Sequence, residues 1–183
     1  MANKRIRQYI GLIAAVITYY LIHEGAHLIT ALSMGVFKEV KFPGLGMQID
    51  VAATQMTDLQ MGIFCLAGAV CTVIAAVLLT LLAPNICRIK SKVVKAASYY
   101  ITMVTLLLDP LYLSVLCGFF GGGDMNGIRL LLPEVIARIA FGTFSKIVSK
   151  SYHFDLETLK NAIFTGFFGG SFIIPTRALD LIF

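Results

Sequence analysis

The chain has 183 residues, of which 58% are hydrophobic and 14% charged, and a mean hydropathy of +0.85. That balance lies outside the range of water-soluble domains and indicates an integral membrane protein built as one domain over residues 1–183. The net charge of +5 comes from Lys and Arg that flank apolar runs, a pattern of membrane orientation. It does not suit a nucleic-acid surface, where basic and aromatic residues interleave.

The first expected membrane span covers residues 9–32, behind Lys4, Arg5 and Arg7. It is longer than a signal-peptide core and lacks a small-x-small cleavage site, so it reads as a retained span. Inside it lies His23-Glu24-Gly25-Ala26-His27, which takes two of the chain's three histidines. On a helix each residue advances by roughly 100°, so His23 and His27 share a face one turn apart, with Glu24 beside them. Two imidazoles in that arrangement suit one Zn2+, with Glu24 left as a base for an activated water. Ionisable residues within a membrane-length apolar run are costly, which favours a functional role over chance placement.

Residues 36–58 have strand character. Val40 and Phe42 alternate with Lys41, Pro43-Gly44-Leu45-Gly46 signals a turn, and Met47, Ile49 and Val51 alternate with Gln48 and Asp50. This is a β-hairpin at the membrane surface, either a connector or an edge strand for an extended substrate. A second span follows at 59–83, where Ala67, Gly68 and Ala69 allow another helix to approach closely. Arg88, Lys90, Lys92 and Lys95 form a basic loop. A third span at 96–120 should bend at Asp109-Pro110, because Pro110 lacks a backbone donor.

Gly121 to Gly127 form a flexible link in which Asp124 and Asn126 suit a helix start. Residues 134–150 read as an amphipathic helix, interfacial or partly buried, with Glu134, Arg138, Ser145, Lys146 and Ser149 broadly on one face. The stretch 156–183 has an apolar centre at 162–174 and is a fourth membrane segment or a packed hairpin. The expected fold is therefore an all-α polytopic membrane protein of three to five membrane segments, with a small β-hairpin between the first and second. The four cysteines form no C-x-x-C pair and read as small apolar residues. Basic flanks put the N-terminus and residues 88–95 on the cytoplasmic side, the hairpin opposite, and the histidines in the non-cytoplasmic half.

A catalytic zinc needs a third protein ligand and an open position. His153 is distant and lies in a polar stretch, so a carboxylate is expected. Asp124 is the first choice, at a Gly-rich helix entry where the chain can turn back toward the histidines. Asp109 is the second, and its other role would be to accept a hydrogen bond at the Pro110 bend. Asp50 qualifies only if the hairpin dips to the site.

An HExxH helix in the membrane, an adjoining β-hairpin and a later Asp that opens a helix together resemble the site-2 protease type of intramembrane zinc metalloprotease. The similarity covers about residues 9–132. In that family the third ligand lies in an Asn-x-x-Pro-x-Pro-x-Leu-Asp-Gly motif, and Asp124-Met125-Asn126-Gly127-Ile128-Arg129-Leu130 looks like a diverged version. Gly121 to Gly123 replace the Asn-Pro-Pro portion, and Met-Asn separates the Asp from the Gly. The resemblance implies one Zn2+ held by His23, His27 and a later Asp, and Glu24 as general base. It also implies Asn126 as a candidate oxyanion stabiliser and a membrane-protein substrate that unwinds before cleavage. The alternative is a non-catalytic membrane protein that keeps the fold and metal as a regulator or assembly partner. The missing Asn-Pro-Pro favours that alternative, whereas Glu24 favours the peptidase, since structural metal binding needs no base. A small transporter with a polar intramembrane site is a third reading, which predicts flux and no metal.

Overall fold

The computed structural model describes residues 2–44, 46–119 and 123–151. Three long helices form its frame: α1 (Ala2–Ser33), α2 (Asp58–Arg88) and α3 (Lys92–Ser114). Within the described residues, α1 from Ile6 onward, α2 and α3 are each long and apolar enough to cross a membrane. All three pack against one another. Small residues line their shared interior, including Ala15, Ala31, Ala69 and Ala76, while Ile13, Ile17 and Leu21 on α1 and Ile74, Leu78 and Leu81 on α2 face outward. An apolar exterior around a small-residue interior is the distribution expected of helices packed in lipid.

Local signals set the ends of these helices. α1 closes in a Schellman motif, with Val36 N–H bonded to Ala31 O at 3.0 Å, Gly35 N–H to Leu32 O at 3.1 Å, and Gly35 at φ 69°. α2 opens in a capping box, in which Thr57 Oγ1 accepts from Gln60 N–H and Gln60 Oε1 accepts from Thr57 N–H. Ser91 caps α3. α2 outruns its expected span to Arg88, because Pro84 does not end it, whereas α3 runs from Lys92, behind its Ser91 cap, to Ser114, short of the expected end at 120. Pro84 lies inside α2 and Pro110 inside α3. Each forfeits only one backbone donor, a loss that packed spanning helices tolerate.

The expected hairpin is present as β1 (Phe37–Lys41) and β2 (Gln48–Val51), paired antiparallel with Val40 opposite Ile49 and an irregularity between Phe37 and Glu39. Ile49 and Val51 are buried in the core with Ala31, Val36 and Phe64, so the hairpin is seated on α1 and closes one end of the bundle.

Beyond α3, a 3-10 turn at Leu116–Gly118 leads through Asp124 into the short α4 (Met125–Ile128), which packs on α2. Then α5 (Glu134–Ser151) packs on α3. The outward face of α5 is apolar. Arg138 pairs with Glu134 at 2.6 Å and reaches the Ser114 carbonyl at the end of α3, while Val135, Ile136, Ile139 and Ile147 are exposed. The polar pair serves the α3–α5 junction and the apolar side chains point away from the protein. The expected fourth segment at 156–183, and His153, lie outside the described residues, as do Gly121 and Gly122 of the proposed flexible link.

Candidate metal centre

α1 carries His23 and His27 one turn apart, and both rings turn into the bundle, where they are 8% and 3% exposed. Asp124 arrives from the lead-in to α4. Although Asp124 occupies the N-cap position of α4, its side chain makes no capping bond. Its Oδ2 lies instead 3.2 Å from His23 Nε2 and 3.5 Å from His27 Nε2. The two Nε2 atoms are themselves 3.2 Å apart. Among the described residues this is the one group of three His, Cys, Asp or Glu side chains whose ligand atoms converge.

The triangle has the dimensions of a metal site. Zinc–ligand bonds of about 2.0–2.1 Å in a tetrahedron put neighbouring donors about 3.3 Å apart, matching the three separations. The remote ring nitrogens support the same reading. His27 Nδ1 lies 2.8 Å from the Phe64 carbonyl, which can only accept, so Nδ1 carries the proton and Nε2 offers its lone pair to the centre. His23 Nδ1 faces the Asp109 carboxylate at 3.1 Å.

Glycines make room for this cluster from α2 and α4. A Cβ on Gly68 would fall 2.6 Å from His27 Nε2 and 2.8 Å from His23 Nε2, so any side chain there would occupy the place between the rings. On α4, a Cβ on Gly127 would strike the Cys65 side chain and come within 3.0 Å of the Met61 carbonyl. Glycine at 127 is what lets α4 press onto α2 and bring Asp124 within reach of α1. Burial pushes the Asp124 carboxyl up; when His23 and His27 are protonated, their hydrogen bonds and charge outweigh it and hold the group down at about 2.

Glu24 is half-buried on the neighbouring side of α1, close enough to interact electrostatically with His23, His27 and Asp124. The backbone N–H of Ile49 on β2 supports its carboxylate, so the hairpin forms the wall beside it. Asn126 is exposed, and its side-chain oxygen accepts from the Arg129 guanidinium. Asp50 does not join the centre: it pairs across the hairpin with Lys41 at 2.7 Å, and that hydrogen bond holds its carboxyl below the usual carboxylate range.

The two aspartates considered as third ligand thus reach opposite nitrogens of one ring, Asp124 the inner Nε2 and Asp109 the outer Nδ1. Three participants were absent from the sequence reading: Tyr19, Thr72 and the Phe64 carbonyl. Tyr19 carried a signal, since it stands four residues before His23 and so shares its face, and Thr72 is a polar residue within the apolar run of α2 between Gln60 and Thr80. The Phe64 carbonyl carried none. No protein-family model, curated protein or solved structure matches the chain.

Proposed function

We propose that the protein is an integral-membrane zinc endopeptidase of the site-2 protease type, which hydrolyses a peptide bond in or beside a membrane segment of another protein. The observation that carries the proposal is the tetrahedral-sized triangle of His23, His27 and Asp124 with Glu24 next to it. Two neutral imidazoles and one carboxylate form the donor set of catalytic zinc sites, three protein ligands with a fourth position left open.

A zinc ion held by these three side chains would supply Lewis acidity toward a peptide carbonyl and a water molecule. Glu24 takes the proton that the attacking water gives up as its oxygen bonds to the carbonyl carbon. The same carboxyl then delivers that proton to the amide nitrogen as the C–N bond breaks, leaving a free acid and a free amine. The Ile49 N–H steadies Glu24 on the hairpin side. Asn126 is assigned to the developing oxyanion; Arg129 holds its side-chain oxygen, which turns the amide N–H2 group away from that guanidinium. A helical membrane substrate has every backbone group paired, so it must unwind locally before Glu24 and the ligand cluster can address one peptide bond.

The test uses zinc-loaded protein in liposomes with a panel of fluorescence-quenched single-span peptides. Wild type cleaves within the panel, and Glu24→Gln keeps its zinc but loses about 100-fold to 10,000-fold in rate, the range for a general base. Cleavage by Glu24→Gln at the wild-type rate would refute the mechanism.

A further inference from the structure

Behind the metal-facing triangle lies a second polar cluster that the proposed chemistry does not use. Asp109 is 3% exposed and sits on α3, yet its carboxylate is surrounded by donors from two other helices. Tyr19 Oη donates to Oδ1 at 2.5 Å, Thr72 Oγ1 lies 2.5 Å from Oδ2, and His23 Nδ1 lies 3.1 Å from the same Oδ2. The Thr72 hydroxyl is also 2.9 Å from the Ala69 carbonyl, and its single proton goes to the closer carboxylate.

We propose that Asp109, gripped by Tyr19 and Thr72, is the positioning residue that fixes the orientation and tautomer of His23 and thereby sets the metal affinity of the centre. The proposal rests on the zinc reading above and concerns residues that do not touch the ion. A neutral imidazole can carry its proton on either nitrogen, and only the tautomer protonated at Nδ1 presents a lone pair at Nε2. The Phe64 carbonyl imposes that tautomer on His27. On His23 the task falls to Asp109, whose oxygens are already committed as acceptors to two hydroxyls, so Nδ1 must donate. A ligating histidine backed by a carboxylate is a recurrent way to fix ring geometry and raise ligand basicity.

The placement of the partners supports this role. Tyr19 stands one turn before His23 on α1, and the two rings stack with centroids 5.3 Å apart at 27°, so the tyrosine limits ring rotation while its hydroxyl holds Asp109. Thr72 stands one turn after Gly68 on α2. One face of α2 therefore supplies both the notch beside the ligand nitrogens and the hydroxyl behind Asp109. His23 is fixed from α1, α2 and α3 together.

The experiment measures metal affinity rather than proteolysis. The full chain, purified in detergent and stripped with a chelator, is titrated with Zn2+ against a fluorescent chelator and separately with Co2+, whose visible absorption reports ligand geometry. Asp109→Asn is expected to bind zinc about 10-fold to 100-fold more weakly, with a shifted Co2+ band. Thr72→Val, which removes one bond to Asp109 and keeps the side-chain shape, should shift both in the same direction by less, and it carries the test if Asp109→Asn does not fold. Wild-type affinity and an unchanged Co2+ band in the folded variants would overturn the proposal, even if the metal-free chain melts earlier, because that pattern belongs to packing alone. Failure of the wild type to take up either metal would be a different result and would overturn the zinc reading itself.

Discussion

A methyl group added at Gly68 would sit among the ligand nitrogens, whereas one added at Gly25, within the His-Glu-x-x-His motif itself, would meet nothing within 4 Å. Gly68→Ala is therefore expected to lose zinc binding. Gly25→Ala should keep it and, as an alanine in a helix interior, gain up to about 1 kcal/mol of stability; metal titration and thermal melting of both variants check this. At this scale the motif was legible because its geometry is local: i and i+4 on a helix fix the relation of His23 to His27 whatever surrounds them. The position of Asp109 at the outer nitrogen of His23 was not legible. It depends on the rotation of α3 about its axis, which an apolar run of nearly uniform character leaves undetermined. The role of Gly68 was visible only as permission for close approach, with nothing to say that imidazoles would fill the space.

Among the elements, α4 decides whether the site closes, because it carries Asp124 to a helix more than a hundred residues earlier. Its seat on α2 depends on Gly127 against Cys65 and Met61. Gly127→Ala should lift α4 and weaken zinc binding by about tenfold or more, the scale for disturbing a group that positions a ligand, while the helical circular dichroism of the long helices stays unchanged. Retention of wild-type affinity would show that Asp124 reaches the site by some other support. The hairpin was readable from alternation and its Pro-Gly turn, and the Asp–Asn helix entry from residue preference. The inward turn of Glu134 and Arg138 on α5 was not, since periodicity identifies a polar face without saying whether water or a helix end receives it. Pro110 leaves α3 continuous because packing of neighbouring helices compensates the lost donor, and packing is a tertiary property.

Across the molecule, the centre joins α1 to the α4 lead-in over 101 residues of sequence, so metal binding should couple to the stability of the whole bundle. Zinc at about 100 times its dissociation constant adds about 2.7 kcal/mol to the folded state, and a chelator should lower the melting temperature accordingly. Acid should act in the same direction. Both imidazoles must be neutral to bind. Acidification should therefore weaken binding, because protons compete with the metal for both ring nitrogens. A zinc affinity that does not fall on acidification would mean that the histidines are not the ligands. The three long apolar helices were legible from hydropathy, because a run long and apolar enough to cross a membrane stands out in composition alone. The third ligand was harder, since the choice between two aspartates turns on which ring nitrogen each one meets.

The zinc content of the purified chain measures whether His23, His27 and Asp124 together hold one zinc ion. The expected result is close to one zinc per chain in wild type, near none in His27→Ala, and a marked loss in Asp124→Asn. Wild-type protein with no more zinc than His27→Ala would contradict the claim.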